Sequence, residues 1–440
     1  MKFFPLWKKN TFPRGIHPKE NKGTGEKETR RIPFPPEVTL PLGKNSVPCV
    51  KVGDEVFRGQ KIADSGGYMS VPVHASVTGT VKAIGTSLDA DGLLAHSIFI
   101  AASPTSVQNV IFGEPQNIDE MSREELVKAI QATGMVGLGG AGFPTHVKAN
   151  PPAEYSIHTI LANGCECEPF LTTDHRVMLE SIPELLIGIK IVMKTTGAKK
   201  AVIGLESNTS DVLRAIREKL PEDGSITVVA LEKKYPQGFE KMLTLAVLGI
   251  EIPAGQIPAS VGVGIFNVAT LAQLGSLIPQ NGGLIERVIT VAGPAVFRPG
   301  NYLIPLGTPL KFVLEHVELA EDIECVVLGG PMMGKTVSSL EPPVTKTTSG
   351  ILAFGKREII SELPCIRCGA CREVCPMGLN PCELVLRAKK GRFEEMRDEF
   401  YLDLCCKCGS CVYTCPSGIQ HLSLFKLAQE MNRKKKTLGS

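Results

Sequence analysis

The chain has 440 residues, 43% of them hydrophobic and 21% charged, with a net charge of +3 at neutral pH. That length holds about three or four domains, and so small a net charge gives no case for a nucleic-acid partner. No run approaches the ~18 apolar residues that a membrane span needs; the best, Leu185–Met193, is interrupted by Lys190, and the first ten residues carry lysines but no apolar stretch of signal-peptide length.

Residues 1–30 are basic and rich in Pro and Gly, which predicts an extended N-terminal arm. Residues 31–110 contain a half-repeat: Val52-Gly53-Asp54, Val56, Gly59-Gln60 and Ile62-Ala63 are followed by Val71-Pro72-Val73-His74-Ala75 and Val77-Thr78-Gly79-Thr80-Val81. This pattern resembles the barrel-sandwich hybrid of biotinyl and lipoyl domains. Such domains carry their modified lysine on the hairpin between the halves, and no lysine occurs between Lys61 and Lys82. A structural or docking module is therefore expected, with His74 hydrogen-bonded rather than a ligand.

Residues 111–283 alternate helical and strand patterns, as an α/β domain does. Ser122 with Glu125 three residues on reads as a capping box opening a helix to Thr133. His158–Ala162, Ala201–Leu205 and Ile226–Leu231 are short apolar runs suited to buried strands, and Ser181–Lys194 and Asp211–Lys219 read as helices. Three further segments carry polar chemistry. Gly137-Leu138-Gly139-Gly140-Ala141-Gly142-Phe143-Pro144, with Lys148 following, lets backbone N–H groups approach a phosphate or a flat ring. Asn163-Gly164-Cys165-Glu166-Cys167-Glu168-Pro169 follows a strand directly, where α/β sheets bind ligands. Tyr235-Pro236-Gln237-Gly238-Phe239-Glu240 joins a strand to a helix.

With Asn267-Val268-Ala269-Thr270-Leu271, these segments resemble, in the same order, the flavoprotein subunit of respiratory complex I, which binds FMN and oxidises NADH. The resemblance implies that Gly137, Gly139, Gly140 and Lys148 hold FMN. It implies that Asn163, Glu166, Asn267 and Thr270 contact its ring and ribityl-phosphate regions, and that Phe143 stacks on the nicotinamide or adenine. Glu168, Tyr235, Gly238 and Glu240 would line the shared pocket. The chain departs from that family at Cys165, where an Asp is usual, at Phe266, where a second Asn precedes Asn267, and at Phe239.

Residues 284–345 predict a small β-rich module: Arg287–Ala292, a turn at Pro299-Gly300, then Pro305–Val317 and Cys325–Leu328. The run Val291-Ala292-Gly293-Pro294-Ala295-Val296 resembles the start of the β-grasp module called SLBB, expected here to pack between its neighbours.

Ten of the fourteen cysteines lie between Cys365 and Cys415, which argues for metal rather than for disulfides spread along the chain. Within residues 355–440, Cys365-x2-Cys368-x2-Cys371-x3-Cys375-Pro376 and Cys405-x2-Cys408-x2-Cys411-x3-Cys415-Pro416 both match the pattern of two-cluster bacterial ferredoxins, in which the fourth cysteine crosses to the other cluster. Cys365, Cys368, Cys371 and Cys415 are thus assigned to one 4Fe–4S cluster, and Cys405, Cys408, Cys411 and Cys375 to the other. A zinc site uses one or two Cys-x2-Cys pairs and does not need these two full runs. Cys382 and Cys406 are left over; Cys406 adjoins a ligand and is read as a packing residue, with a ligand swap as the alternative. Leu384–Tyr401 reads as a helical, solvated connection, and Leu422–Lys436 as a helix with Leu424, Leu427 and Met431 on one side and a basic end.

The fold expected is multidomain, α/β and β: barrel-sandwich hybrid, complex-I-flavoprotein-like α/β domain, β-grasp SLBB module and an α-helical two-cluster ferredoxin domain. That order resembles the C component of the Rnf ion-translocating electron-transport complexes. The resemblance implies an NAD(H)-linked oxidoreductase, peripheral on the cytoplasmic face of the membrane. It would carry electrons between NAD(H), FMN and two 4Fe–4S clusters, toward sister subunits of a membrane-embedded complex and, through them, ferredoxin. The rival readings are a cobalamin reductase of bacterial microcompartments, which lacks the preceding barrel sandwich, and a non-enzymatic iron–sulfur relay with a degenerate flavin site.

Overall fold

The computed structural model describes residues 10–89, 92–356 and 361–438, the last three as backbone. The lysines of the first nine residues and the side chain of Lys436 lie outside the described residues. The arm is extended but not free. Phe12 is buried, Ile16 bridges Tyr235, and β1 (Arg30–Arg31) joins a sheet nearly three hundred residues away, beside Tyr302 and Leu303.

The next eighty residues form β2 (Glu37–Pro41), β3 (Val47–Pro48), β4 (Glu55–Val56), β5 (Lys61–Asp64), β6 (Val73–His74), β7 (Gly79–Leu88) and β8 (Leu94–Ala102), in two sheets ordered β2-β8-β7-β4 and β3-β5-β6. Alternate residues point inward, as a half-buried strand requires: Val38, Leu40, Val81, Ile98 and Ile100 fill the core. The hairpin between β5 and β6 is clamped to the following domain. The Tyr68 carbonyl meets His146 Nε2 at 2.7 Å, and Lys346 Nζ donates to the Pro72 carbonyl at 3.2 Å. His74 is buried, but its Nδ1 has no hydrogen-bond partner, which corrects the expected hydrogen bond; burial, with Lys346 nearby, pushes its imidazole down to about 4, so it stays neutral.

The α/β domain begins with α1 (Arg123–Ala132), capped as expected by Ser122 and Glu125, and α2 (Thr145–Ala149). It continues through β9 (Thr159–Gly164), α3 (Thr173–Glu180), α4 (Ile182–Thr196), β10 (Lys200–Glu206), α5 (Ser210–Arg217), β11 (Ile226–Leu231), α6 (Glu240–Leu248), β12 (Val263–Asn267) and α7 (Val268–Leu277). The sheet is wholly parallel and ordered β11-β10-β9-β12. The chain therefore winds outward from β9 to β11 and then reverses to place β12 on the far side of β9. Such a reversal opens a crevice beyond the carboxyl ends of the two strands that flank it. Asn163 and Asn267 end those strands in direct register.

A mixed sheet follows, built on β13 (Glu286–Ala292), β14 (Gly300–Pro305), β15 (Ile323–Leu328), β16 (Lys335–Val337) and β17 (Gly350–Gly355), ordered β1-β14-β13-β17-β15-β16. It reaches beyond the 284–345 bounds expected from sequence. One expectation is corrected: the strand ends at Pro305, and Leu310–Val317 is a helix, α8. Leu310, Val313, Leu314 and Val317 recur at helical spacing and are all buried.

The last region is a structural repeat with a forty-residue offset. Arg367 and Lys407, Gly369 and Gly409, and Gly378 and Gly418 all have positive φ. Helix α9 (Ala370–Glu373) matches α12 (Ser410–Tyr413), and α10 (Pro381–Ala388) matches the start of α13 (His421–Leu438), with α11 (Phe393–Asp398) between. The connection 384–401 is thus two short helices, and Leu384, Val385 and Met396 bury it rather than leave it solvated. Helix α13 buries Phe425, Ala428 and Asn432, so Leu427 and Met431 face outward, 47% and 39% exposed. Among the described residues no helix is long and apolar enough to cross a membrane.

Candidate flavin and iron–sulfur sites

The glycine-rich loop lies at the reversal crevice. Its neck is closed by the Gly137 N–H donating to the Phe143 carbonyl at 2.8 Å. Its root is tied to α7, where the Leu138 N–H donates to Thr270 Oγ1 at 2.9 Å. At the tip Gly140 has φ +122°, which side chains rarely tolerate, and open space in front of it. Gly139 lies against Asn267, where a Cβ would come within 3.2 Å of that side chain. Phe143 is 43% exposed at the rim.

Around the crevice the polar side chains hold one another. Lys148 Nζ pairs with Glu240 Oε1 at 2.5 Å, which ties α2 to the first turn of α6. Asn163 donates through Nδ2 to the Gly238 carbonyl at 2.8 Å and accepts the Cys165 N–H. Gly238 is required there, since a Cβ would stand 2.5 Å from the Cys165 carbonyl oxygen. Glu166 accepts the N–H groups of Asp174 and His175 at the start of α3. Asn267 caps α7 through Oδ1, and its Nδ2 donates to Asp174 Oδ2 at 2.7 Å.

Two expected pocket residues are committed elsewhere. Glu168 accepts the N–H groups of Met332 and Met333 at 2.9 and 2.8 Å, across the joint to the mixed sheet. Burial pushes its carboxyl up to about 7, with those two N–H donors opposing the shift. The Tyr235 ring is buried and its hydroxyl donates to the Cys408 carbonyl at 2.7 Å. Each is a buried polar group that must find a partner, and each finds it on the way to the second cysteine motif rather than at the loop.

Whether FMN suits the crevice is decided by what the protein leaves unfilled. Gln237 is completely buried between Tyr235 and Gly238, yet neither atom of its amide has a partner, and Thr145 Oγ1 on α2 is likewise buried and unpaired. Buried polar atoms without partners are uncommon and call for an explanation. The Gln237 amide is closed off from the crevice; the open space before Gly140, with the Asn267 side chain facing Gly139, is what leaves room for a polar ligand, and there the residues fit the cofactor.

The first cysteine motif rings a hollow open to solvent, lined by Cys365, Cys368, Cys371 and, from the second motif, Cys415. Its rim is exposed: Leu363 is 58% and Ile366 69% accessible. At the second motif Cys375 stands among Cys405, Cys408 and Cys411, near enough to raise the thiols of Cys405 and Cys411. Burial, then neighbouring thiols, pushes Cys405 up to about 11, so loading metal must displace protons there. Cys408 packs with Ile16 and Tyr235, flanked by Cys167, Met332, Val374 and Cys406. Among the described residues no three Cys, His, Asp or Glu side chains converge as a single-ion site. A four-iron cube, which binds thiolates at its separate corners, uses the wider ring seen here.

Family profiles agree with this division. Residues 10–104 match the RnfC barrel sandwich hybrid domain, 130–276 the Nuo51 FMN-binding domain, and 363–419 a 4Fe-4S dicluster domain. Over 89% of its length the chain is 36% identical to the C component of the proton-translocating ferredoxin:NAD(+) oxidoreductase complex of Clostridium ljungdahlii, covering 87% of that protein. It is 35% identical over 90% of its length to the C component of the Na(+)-translocating complex of Acetobacterium woodii, covering 91% of it. The chain belongs to this RnfC family. Its fold is also that of a chain of an NAD+-reducing NiFe hydrogenase, with a TM-score of 0.51 at 18% identity, over 73% of this chain and 69% of that one.

For a member of the RnfC family, three positions near the crevice carry weight that sequence reasoning missed. Asp174 is half-buried beneath Asn267; loss of hydration there, then the neighbouring Glu166, raises its carboxyl. Arg287, wholly buried, donates to the Leu138 carbonyl at 3.3 Å and to the Lys346 carbonyl; burial lowers its guanidinium to about 10, with Asp174 opposing. Lys22, from the arm, donates to the Glu166 and Leu171 carbonyls at 2.5 and 2.6 Å. Asp174 follows a Glu-Pro turn by a few residues, a faint signal, whereas Lys22 and Arg287 lie far from the motifs they serve.

Proposed function

We propose that this chain is the peripheral NAD(H)-linked electron-transfer subunit of a membrane-bound, ion-translocating complex, placed on the cytoplasmic face and working with sister subunits that exchange electrons with ferredoxin. FMN supplies the exchange between two-electron hydride chemistry and the single electrons that 4Fe–4S clusters carry. Gly137, Gly139 and Gly140 offer backbone N–H groups to its phosphate, with Lys148 and Glu240 at the entrance and Asn163 and Asn267 around the ring. Phe143, at the rim, offers a stacking face to the nicotinamide or adenine. The second cluster takes Cys405, Cys408, Cys411 and Cys375, and the first takes Cys365, Cys368, Cys371 and Cys415. The mixed sheet with α8 is assigned as an SLBB β-grasp module; its part is to hold the flavin domain against the clusters, through Glu168 and the 332–333 backbone.

The observation that carries this reading is the Tyr235–Glu240 segment. One end borders the loop crevice, through Gly238 and Glu240; the other touches the second cysteine motif, through Tyr235 and Cys408. Electrons therefore have a short covalent and hydrogen-bonded route into the second cluster first, and the exposed first cluster faces the next carrier. The family relation over nine-tenths of the chain does not favour the cobalamin-reductase reading, and the match of residues 130–276 to an FMN-binding domain favours a working flavin site over a degenerate one.

The test is anaerobic purification followed by release of the cofactor and titration with NADH. FMN bound near one per chain, bleached by NADH, is the expected result. Intact clusters with no FMN would contradict the enzymatic reading, and leave a simple iron–sulfur relay.

A further inference from the structure

The first cavity holds one thiol more than a four-iron cluster uses. Cys382 lines it together with Cys365, Cys368, Cys371 and Cys415, and its Sγ lies 3.7 Å from that of Cys365. It arrives from a separate element, the first turn of α10, whose backbone lies close enough to the Cys371 sulfur to favour its thiolate. The start of this helix thus already meets the ligand sulfurs, where its N–H groups favour negative charge.

The forty-residue repeat shows that the ferredoxin fold does not itself demand this thiol. The equivalent of Cys382 is Leu422, an apolar residue that packs beside Gly409 at the second motif. The other surplus cysteine, Cys406, repeats the exposed Ile366 and packs with Ile16 and Tyr235, away from the first cavity. Cys406 lies against the ligand Cys408 of the inward motif, so each motif has a surplus thiol nearby; Cys382 is the one at the cluster that opens to solvent, where ligand sulfurs are most accessible to oxidants.

We propose that Cys382 is a reserve ligand of the first cluster, placed to take the iron held by Cys365. This rests on the cluster assignment given above. In the exchange the Fe–S bond to Cys365 breaks and one to Cys382 forms. The proton that leaves the Cys382 thiol ends on the released Cys365 sulfur, and no electron is gained or lost. Like replaces like, a soft thiolate for a soft thiolate, across a gap that side-chain rotation closes.

The experiment compares full-length wild type, Cys365→Ala, Cys382→Ala and the double variant Cys365→Ala/Cys382→Ala, each loaded anaerobically with iron and sulfide. Iron content and low-temperature EPR of the reduced proteins are the readouts, and the second cluster reports that each variant has folded. Both single variants are expected to hold two clusters and the double variant one, with its iron halved. A Cys365→Ala protein that has already lost the first cluster overturns the proposal alone; a wild type that loads a single cluster overturns it together with the assignment beneath it. Alkylation gives a second measurement independent of iron content. Cys382 is expected to react with iodoacetamide in the loaded wild type and to be protected in loaded Cys365→Ala, and equal labelling in the two would overturn the proposal.

Discussion

The two cysteine motifs repeat each other in spacing, in backbone angles and in the helices that follow, yet they sit in opposite surroundings. Cys368 is exposed on an open rim beside Ile366; its counterpart Cys408 is buried beneath Tyr235 and Ile16. In the assignment proposed above, the motif supplies the ligands and its fourth cysteine crosses to the other cluster. What lies around the motif sets direction: the second faces inward, toward the flavin domain, and the first faces outward.

That contrast is open to attack from several sides. The largest effect is expected from Gly140→Val, which forces a β-branched residue to φ +122° at the tip of the loop. FMN binding should weaken by more than about tenfold, a loss above about 1.4 kcal/mol, and NADH should then reduce neither cluster, while dithionite still reduces both. Clusters reduced normally by NADH in this variant would disconnect the loop from the wire.

Next comes a pH effect on the inward side. Glu206 ends β10 and shares a cavity with Tyr235 and Cys167; burial pushes its carboxyl from 4.5 up to about 7. The folded state therefore keeps this proton to higher pH than the unfolded chain. The contribution is fully present below about pH 4.5 and is lost as pH climbs to about 7, a change of roughly 2–4 kcal/mol. Unfolding midpoints should accordingly fall between about pH 4.5 and 7, and Glu206→Gln should reduce that slope, leaving the share of Glu168, which is raised likewise. On the outward side Glu362 is exposed and paired with Lys389, and Glu362→Gln should leave the slope as it is.

Smaller still is Tyr235→Phe, which leaves the buried Cys408 carbonyl without its donor. A cost of about 1–3 kcal/mol in denaturant unfolding is expected. The matching change at the outer motif, Ile366→Ala, alters an exposed side chain and should stay within about 0.5 kcal/mol. Equal costs would erase the distinction between an inward and an outward cluster.

Much of this was legible in the sequence because the signals are local. Short apolar runs rich in β-branched residues, such as Ile226–Leu231, favour strands, and that run is the edge strand β11; Ser122 and Glu125 cap their own helix, and cysteine spacing suits a ligand turn. The arm was not legible, since a Pro- and Gly-rich stretch has no period to betray where Phe12, Ile16 and Lys22 will dock. Nor was the direction of Glu168 and Tyr235: both belong to the right segments, but a buried carboxylate and phenol go wherever a partner is available, and here that lay across a domain joint. Leu310–Val317 was misjudged because its apolar residues, read without their spacing, suit a strand as well as a helix.

The central claim is that electrons reach the second cluster before the first. It is tested most directly by NADH reduction of the FMN-loaded chain, followed by EPR, in Cys375→Ala and Cys415→Ala. Because the fourth cysteines cross, Cys415→Ala should lose the first cluster and still show NADH reducing the second. Cys375→Ala should lose the second and leave the first oxidised by comparison with a dithionite control. The reverse pattern, with the first cluster reduced by NADH while the second is missing, would contradict the account.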